Sequence, residues 1–455
     1  MRNSSESKNS PTASRDVSFQ KIAILGGGLS GLTLGYLLTQ EGTDFEILEK
    51  ESYCGGLMQS IKEDGFTFDC FGSHIIFSKD KEVLDLILYL LGENTIKNRR
   101  NTKVLYNNRY VKYPFENGLA DLSKEENFEC IYYFIQNLII KEKEALKKPD
   151  NLKEWFYHTF GKGIAEKYLI PYNEKIWKFQ VEKMGLNWVE RIPDPPVGDI
   201  IKSSLGIETE GYTHQLLFYY PKVGGIEAIT RLLEIRVEKY VTTNYDITKL
   251  KYEDGKWFVC NGKVEKPFDK IVSTIPIQKL VAAIDAPKEV KAAATALKYN
   301  SLITVMLGIN KEKVNDISWL YIPDKKTLAH RVSFPSNYSP YVAPFNKSSV
   351  LAEITCNIED NMWKIKDEEI TERVISDLEQ LRIINKKDIC FAKVKRIEYA
   401  YVISDLDYND NLKIIKNYFD ETGIGLLGRF AEFKYLNMDA CIRNALNYVK
   451  NYFVS

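Results

Sequence analysis

The residues with the clearest chemical potential come early, where the apolar run 22–25 ends on Gly26-Gly27-Gly28-Leu29-Ser30-Gly31. In this G-x-G-x-x-G turn Gly26 permits the tight turn and Gly28 lets backbone amides approach a pyrophosphate. Gly31 lets helix and strand pack closely, and Ser30 sits inside the turn. A diphosphate placed there meets the positive dipole end of the following helix. Glu49 closes a second strand-like stretch, 44–48, where its carboxylate can accept hydrogen bonds from both ribose hydroxyls of an adenosine. Shortly after it, Gly55-Gly56 offers a second backbone approach where side chains would obstruct a long, extended cofactor, with Leu57 next in line. That pair favours FAD over NAD. The expected cofactor-binding residues of this region are Gly26, Gly28, Ser30, Gly31, Glu49, Gly55, Gly56 and Leu57.

These residues need a strand, a helix and a second strand in order. The sequence supplies them: 22–25 reads as a buried parallel strand, Leu32, Leu34, Leu37 and Leu38 follow a helical pattern, and 44–48 is strand-like. Further on, 65–69 alternates like a strand, and 82–190 turns helical, with a capping-box start at Asn151 and Glu154. Within that block 168–177 mixes apolar and polar residues at short range. Residues 257–260 and 270–276 read as strands of the first sheet. Residues 300–310, 317–322 and 350–357 are expected to form a separate mixed sheet over the cofactor, and a closing helix begins near Asp439.

Composition narrows the partners. Lys+Arg and Asp+Glu both number 62 in 455 residues, so no net field draws the chain to nucleic acid or an anionic membrane. Seven scattered cysteines and four histidines show no metal-ligand spacing, so no metal is expected, and the thiols read as reduced in a cytoplasmic protein. Residues 1–18 are polar and read as a disordered tail. No run reaches the roughly 18 apolar residues that a membrane span requires.

Five further blocks carry a resemblance to the UDP-galactopyranose mutases, FAD-dependent enzymes that interconvert pyranose and furanose forms of a nucleotide-sugar. They are GSHIIF at 72–77, YNEKIW at 172–177 with Arg191 beyond it, YPKVGG at 220–225, HRVSFPSNYSP at 330–340 and GRFAEFKYLNMD at 428–439. The resemblance covers about residues 20–450. It implies that reduced FAD is the covalent catalyst, its N5 attacking the anomeric carbon as UDP leaves, before the sugar recloses as a furanose. It also implies that Arg191 and Arg331 hold the diphosphate, as the guanidinium fork suits it, and that His74 lies against the flavin. Tyr172, Trp177, Tyr338, Tyr435, Asn437 and Asp439 are implied around diphosphate and sugar, with Gly428 and Arg429 near the flavin. The expected partners are an NDP-sugar and NAD(P)H or another reductant, with homo-oligomerisation open.

Phe77 stands where bacterial mutases usually have a second histidine, and the 330–340 block looks closer to eukaryotic-type mutases while LNMD looks closer to bacterial ones. The chain therefore resembles a divergent branch, with sugar and nucleotide open. The alternative is an FAD-dependent oxidase of the amine-oxidase or protoporphyrinogen-oxidase type, although such enzymes commonly have Arg where Leu57 stands. The expected fold class is α/β: a Rossmann-like FAD-binding domain of the glutathione-reductase type (19–81, 216–278 and 396–455), a helical insertion (82–192) and a mixed β-sheet substrate domain (193–215 and 279–395). The stretch 193–215 is the candidate for a loop that closes over substrate.

Overall fold

β1 (Ile22–Leu25) is apolar and buried at every position, as a strand covered on both faces must be. It pairs in parallel with β2 (Phe45–Leu48) and with the strand Lys270–Ser273. Val241–Thr242 and Gly425–Leu426 extend this to a five-stranded parallel sheet. α1 (Leu29–Gln40) makes the crossover and packs between the helices Glu227–Val237 and Met438–Val454. The computed structural model describes residues 20–143, 148–191, 196–209 and 216–454; the expected N-terminal tail lies outside them.

A second, seven-stranded mixed sheet has the order Ile389–Ile403, Lys298–Ile309, Ser348–Cys356, Arg331–Ser333, Trp319–Tyr321, Thr102–Tyr106, Arg109–Lys112. Its centre, Lys298–Ile309 against Ser348–Cys356, is buried almost throughout. The expected α/β class with a separate mixed sheet is therefore present.

Three boundaries differ from expectation. The block 82–190 is not wholly helical: Thr95–Arg99 pairs with Leu217–Pro221, and Thr102–Tyr106 and Arg109–Lys112 form a hairpin at the edge of the large sheet. Asn107 and Asn108 both take positive φ in its two-residue turn, the conformation that matches strand twist. Residues 257–260 leave the first sheet for the same reason. The Asp254-Gly255 turn, also at positive φ, folds Lys256–Cys260 back on Lys249–Glu253 in a three-stranded antiparallel sheet completed by Glu265–Phe268. Residues 396–403 continue the long edge strand of the large sheet rather than the cofactor domain.

The middle of the expected closing loop is a helix, Val197–Ser204, and it packs on the helical layer rather than the sheet. Ser203 Oγ accepts from Leu119 N at 3.0 Å and the Ser204 carbonyl from Asn127 Nδ2 at 2.8 Å. Residues 192–195 and 210–215 lie outside the described residues. The capping box forms as expected at its first half: Asn151 Oδ1 accepts from Glu154 N at 3.0 Å, while Glu154 Oε2 reaches back to Asp150 N at 2.9 Å.

Candidate functional site

One cavity of about 1310 Å³ runs from Gly26 and Gly28 after β1 and Glu49 after β2 to Tyr172, Arg331, Tyr401 and Arg429 beneath the large sheet. An ordinary small-molecule site occupies roughly 300–1,000 Å³, so this volume suits a long cofactor together with a second molecule.

The near end is built for a dinucleotide. A Cβ on Gly31 would overlap the Gly26 carbonyl oxygen, whereas one on Gly28 would meet only the Gly56 Cα, at 3.8 Å. Gly31 is thus demanded by packing, and Gly28 by whatever enters the cavity. Gly55 N donates to the Gly27 carbonyl at 2.9 Å, forming a parallel bridge that lays the second glycine pair alongside the first. No side chain caps α1 and its first turn carries no acid, which leaves its amides to an anion. Glu49 is buried and oriented by two backbone donors, Gly27 N at 2.7 Å and Glu51 N at 3.0 Å. Each carboxylate oxygen keeps acceptor capacity for a ribose hydroxyl. Ser30, Leu57 and Gly428 line the same space. These residues fit FAD.

At the middle, the loop 72–74 hangs between two anchors. Asp69 is buried and accepts from Tyr220 Oη and Ile226 N, both at 2.9 Å, from Ser60 Oγ at 3.1 Å and from His74 N at 3.4 Å. Burial nevertheless pushes its carboxyl up to about 6, against the lowering effect of those donors. Ser73 N donates to Glu353 Oε1 at 3.2 Å. The His74 imidazole faces the cavity with a buried Nδ1 that lacks a well-formed hydrogen bond. Burial, with Arg429 and Arg331 close by, lowers its pKa to about 3, so the ring is neutral.

The far end pairs cations with phenols. Arg331 leads out of the 322–330 segment and its guanidinium is partly exposed to the cavity. It donates from Nε to Glu353 Oε1 at 2.7 Å and from Nη2 to Glu353 Oε2 at 2.6 Å. Arg429 donates from Nε to the Leu436 carbonyl at 2.7 Å and lies 4.8 Å from the Tyr435 ring centre. Tyr435 stacks on Tyr401 at 5.8 Å, and Tyr172 meets Tyr321 edge-on at 5.1 Å. Burial pushes the phenols of Tyr113, Tyr168, Tyr172 and Tyr401 up, so they stay protonated and able to donate. Trp177 is locked edge-on against Tyr435 and donates from Nε1 to Asn173 Oδ1 at 3.0 Å.

The sequence-derived residues thus mostly converge: His74, Tyr172, Trp177, Arg331, Arg429, Tyr435, Asn437 and Asp439 line one cavity with the glycines and Glu49. Asp439 also accepts from Ser78 Oγ at 2.9 Å. Tyr338 is not among the lining residues. It is buried among Phe218, Tyr220 and Trp319, its hydroxyl donating to the Ser318 carbonyl at 2.9 Å and lying 2.9 Å from Ser73 Oγ. It supports the 72–74 loop from behind. Arg191 ends the short helical turn Leu186–Arg191, and its side chain lies outside the described residues. No motif or spacing singles out Tyr321, Tyr401, Glu353 or Arg100, which lines the cavity 5.4 Å from the Tyr113 ring. Strand alternation in 397–403 is the one signal that would have turned Tyr401 inward.

A family model for flavin containing amine oxidoreductases matches residues 29–393. The chain belongs to that family. It is also similar to UDP-galactopyranose mutases. One, from Mycoplasma pneumoniae, is 24% identical over 215 residues, 46% of this chain and 51% of the relative, so the match spans about half of that protein's length. Another, from Mycoplasma genitalium, is 23% identical over 317 residues, 69% of this chain and 72% of the relative. A crystal structure of reduced UDP-galactopyranose mutase superposes with a TM-score of 0.88 at 23% identity, covering 96% of each chain; at that identity the match establishes the fold. The family and the cradle together identify FAD as the cofactor of this enzyme family member. Among the described residues, no helix is long and apolar enough to cross a membrane and no group of side chains is arranged to hold a metal ion.

Proposed function

We propose that the protein is a flavin-dependent mutase interconverting the pyranose and furanose forms of an NDP-sugar, UDP-galactose or a related NDP-hexose. The observation that carries this reading is the continuity of the cavity, which joins the dinucleotide cradle to a chamber walled by Arg331, Arg429 and protonated tyrosines. A site for a small amine, which is itself a cation, has no need of guanidinium and phenol donors converging around one space. Those donors suit a diphosphate.

Reduced FAD, bound in the cradle, would supply a nucleophile for the anomeric carbon. The protein's own residues would do the rest. Arg331, with Arg191 by resemblance, would hold the departing nucleoside diphosphate close enough to return. Tyr172, Tyr401 and Tyr435 would donate to its oxygens without adding charge. Trp177, Asn437 and Asp439 would shape the sugar end, and neutral His74 would sit at the flavin without placing a second charge beside Arg331. Holding the separated pieces in register converts their recombination into an intramolecular step.

The deciding experiment incubates the protein with a panel of UDP- and dTDP-sugars, with oxidised flavin and again after dithionite or NAD(P)H reduction, and resolves the products by chromatography. Isomerisation is expected only in the reduced state, with no net redox change. Stoichiometric oxygen consumption on an amine or porphyrin, with no isomerised sugar, would refute the reading in favour of an oxidase.

A further inference from the structure

The YNEKIW helix, Ile170–Trp177, mixes polar and apolar residues too closely for a simple amphipathic face, and the site accounts for only part of it. Tyr172 and Trp177 face the cavity, and Asn173 is spent on the Trp177 indole and the Leu169 carbonyl. Lys175 has no place in the chemistry, yet it is 5% exposed. Its ammonium is caged by the Ile322 carbonyl at 2.9 Å, the Asp324 carbonyl at 2.6 Å, Thr327 Oγ1 at 2.9 Å and the Ala329 carbonyl at 2.7 Å. All four oxygens belong to 322–330, the strap that joins Tyr321 to Arg331.

We propose that Lys175 is a positioning residue: its ammonium fastens the 322–330 strap to the Ile170–Trp177 helix and so sets the spacing between Tyr172 and Trp177 on one wall of the cavity and Tyr321 and Arg331 on the other. The part of this inference that concerns ligand binding rests on the nucleotide-sugar reading; the cage itself does not.

The helix end of the clamp is fixed independently. Its last carbonyls are held to the large sheet, Lys175 O by Thr355 Oγ1 at 3.0 Å and Ile176 O by Asn300 Nδ2 at 2.8 Å. Lys175 is then the arm that carries this rigidity to the strap. Burial, with Lys178 nearby, pulls the Lys175 amine down to about 7, against which the four oxygens favour the cation, as it offers three hydrogens where the neutral amine offers two. An apolar residue at 175 would leave the buried Ile322 and Ala329 carbonyls without this donor, while the exposed Asp324 carbonyl keeps the Thr327 hydroxyl at 3.0 Å. On the strap side, Asp377 Oδ2 accepts from Leu328 N at 2.8 Å and Glu174 pairs with Lys325 at 2.9 Å. His330 N also donates to the Glu353 carbonyl at 2.9 Å, which ties the Arg331 end to the sheet; Lys175 is the buried contact that ties both ends of the strap, through Ile322 and Ala329, to the helix. A side pocket of about 510 Å³ lined by Lys175, Lys178, Thr327 and Thr355 opens onto the cage from outside, so a small cation can reach it.

The test compares Lys175→Ala with Lys175→Met in the FAD-loaded protein. Lys175→Ala should keep its FAD content and flavin spectrum, weaken UDP binding by on the order of tenfold to hundredfold, and speed amide hydrogen exchange across 322–330. Added n-propylammonium, which replaces the missing carbons and charge, should restore both measurements. Lys175→Met, whose side chain fills the channel, should show the same losses and no rescue. Wild-type exchange and UDP affinity in both variants would overturn the proposal, as would losses in Lys175→Ala that propylammonium leaves unchanged. Should Lys175→Ala not accumulate, Lys175→Met decides by exchange and affinity alone. If the wild-type protein itself fails to bind UDP, the functional reading falls, while the exchange and rescue measurements still decide the role of Lys175.

Discussion

Glu353 is the residue whose replacement should most expose how the far end of the cavity is held. It is fully buried in the middle of Ser348–Cys356, directly across the strand pair from Arg331, and accepts three hydrogen bonds, two from that guanidinium and one from Ser73 N. In Glu353→Gln the shape survives, but the charge goes and an amide NH₂ is turned towards a donor. Breaking a buried ion pair by removing one partner typically costs about 3–5 kcal/mol, because the remaining charge is left uncompensated. The glutamine keeps one acceptor oxygen, so the lower end, about 3 kcal/mol, is expected here. Urea unfolding followed by both tryptophan fluorescence and far-UV circular dichroism measures it, coincident transitions being the condition for converting midpoints into free energies. The double variant Glu353→Gln/Arg331→Gln should cost well under the sum of the two single changes, since it removes the stranded charge along with its partner. UDP affinity should fall in Glu353→Gln although the residue itself lies behind the arginine. A cost under about 1 kcal/mol, or additive single and double variants, would mean that the pair is loosely made and that Arg331 is positioned by something else.

Two further outcomes follow from the cradle and from Asp69. Gly31→Ala should abolish FAD incorporation together with native stability, because its Cβ overlaps the Gly26 carbonyl. Gly28→Ala should fold with near-wild-type circular dichroism and yet lose FAD, as the only neighbour of its Cβ is the Gly56 Cα; equal flavin content in the two variants would contradict this division. Asp69 gives a pH signature. Its carboxyl is raised from 3.8 to about 6 in the folded protein, so between those values the native state holds a proton that the unfolded chain has released. Its contribution to stability is therefore greatest below about pH 4 and declines as pH rises through 6, by roughly 3 kcal/mol in all. The stability difference between wild type and Asp69→Asn should shift by that amount, against the wild type, from pH 4 to pH 7, and a flat difference would show that its four donors outweigh burial.

Sequence and structure agree best where local chemistry dictates geometry. The turn 26–31, the acid at 49 and the pair 55–56 were legible because backbone approach to a diphosphate can be met only by glycine, and ribose recognition only by an acid at a strand end. The hairpins at 107–108 and 254–255 are equally local, since Asn-Asn and Asp-Gly are turn signals, but they are masked by the longer helical and strand patterns around them. Residues such as Glu353 and Tyr401 carried no such signal. Glu353 lies in a strand that is otherwise apolar or hydroxylated, and its role exists only because register sets it opposite Arg331. Tyr338 shows the converse: a motif tyrosine whose neighbours in space, Phe218, Tyr220 and Trp319, draw it into the core.

The arrangement of charge at the far end has a consequence for what the cavity selects. Arg331 is already paired with Glu353, so its guanidinium is held in one orientation before any ligand arrives, and its charge is offset close to its source. Arg429 is held by carbonyls, with its face on Tyr435. A ligand therefore meets donors already oriented, with the charge of Arg331 offset by Glu353 and that of Arg429 still felt in the cavity, as the lowered pKa of His74 shows. Such a site discriminates by the geometry of hydrogen bonds more than by total charge. It should favour an anion whose oxygens are spread over several donors, as in a diphosphate, over a compact anion of equal charge. Comparing a UDP-sugar, whose diphosphate diester carries the same two charges as inorganic sulfate, with sulfate as competitors for the loaded protein measures that preference, and equal affinity would count against it.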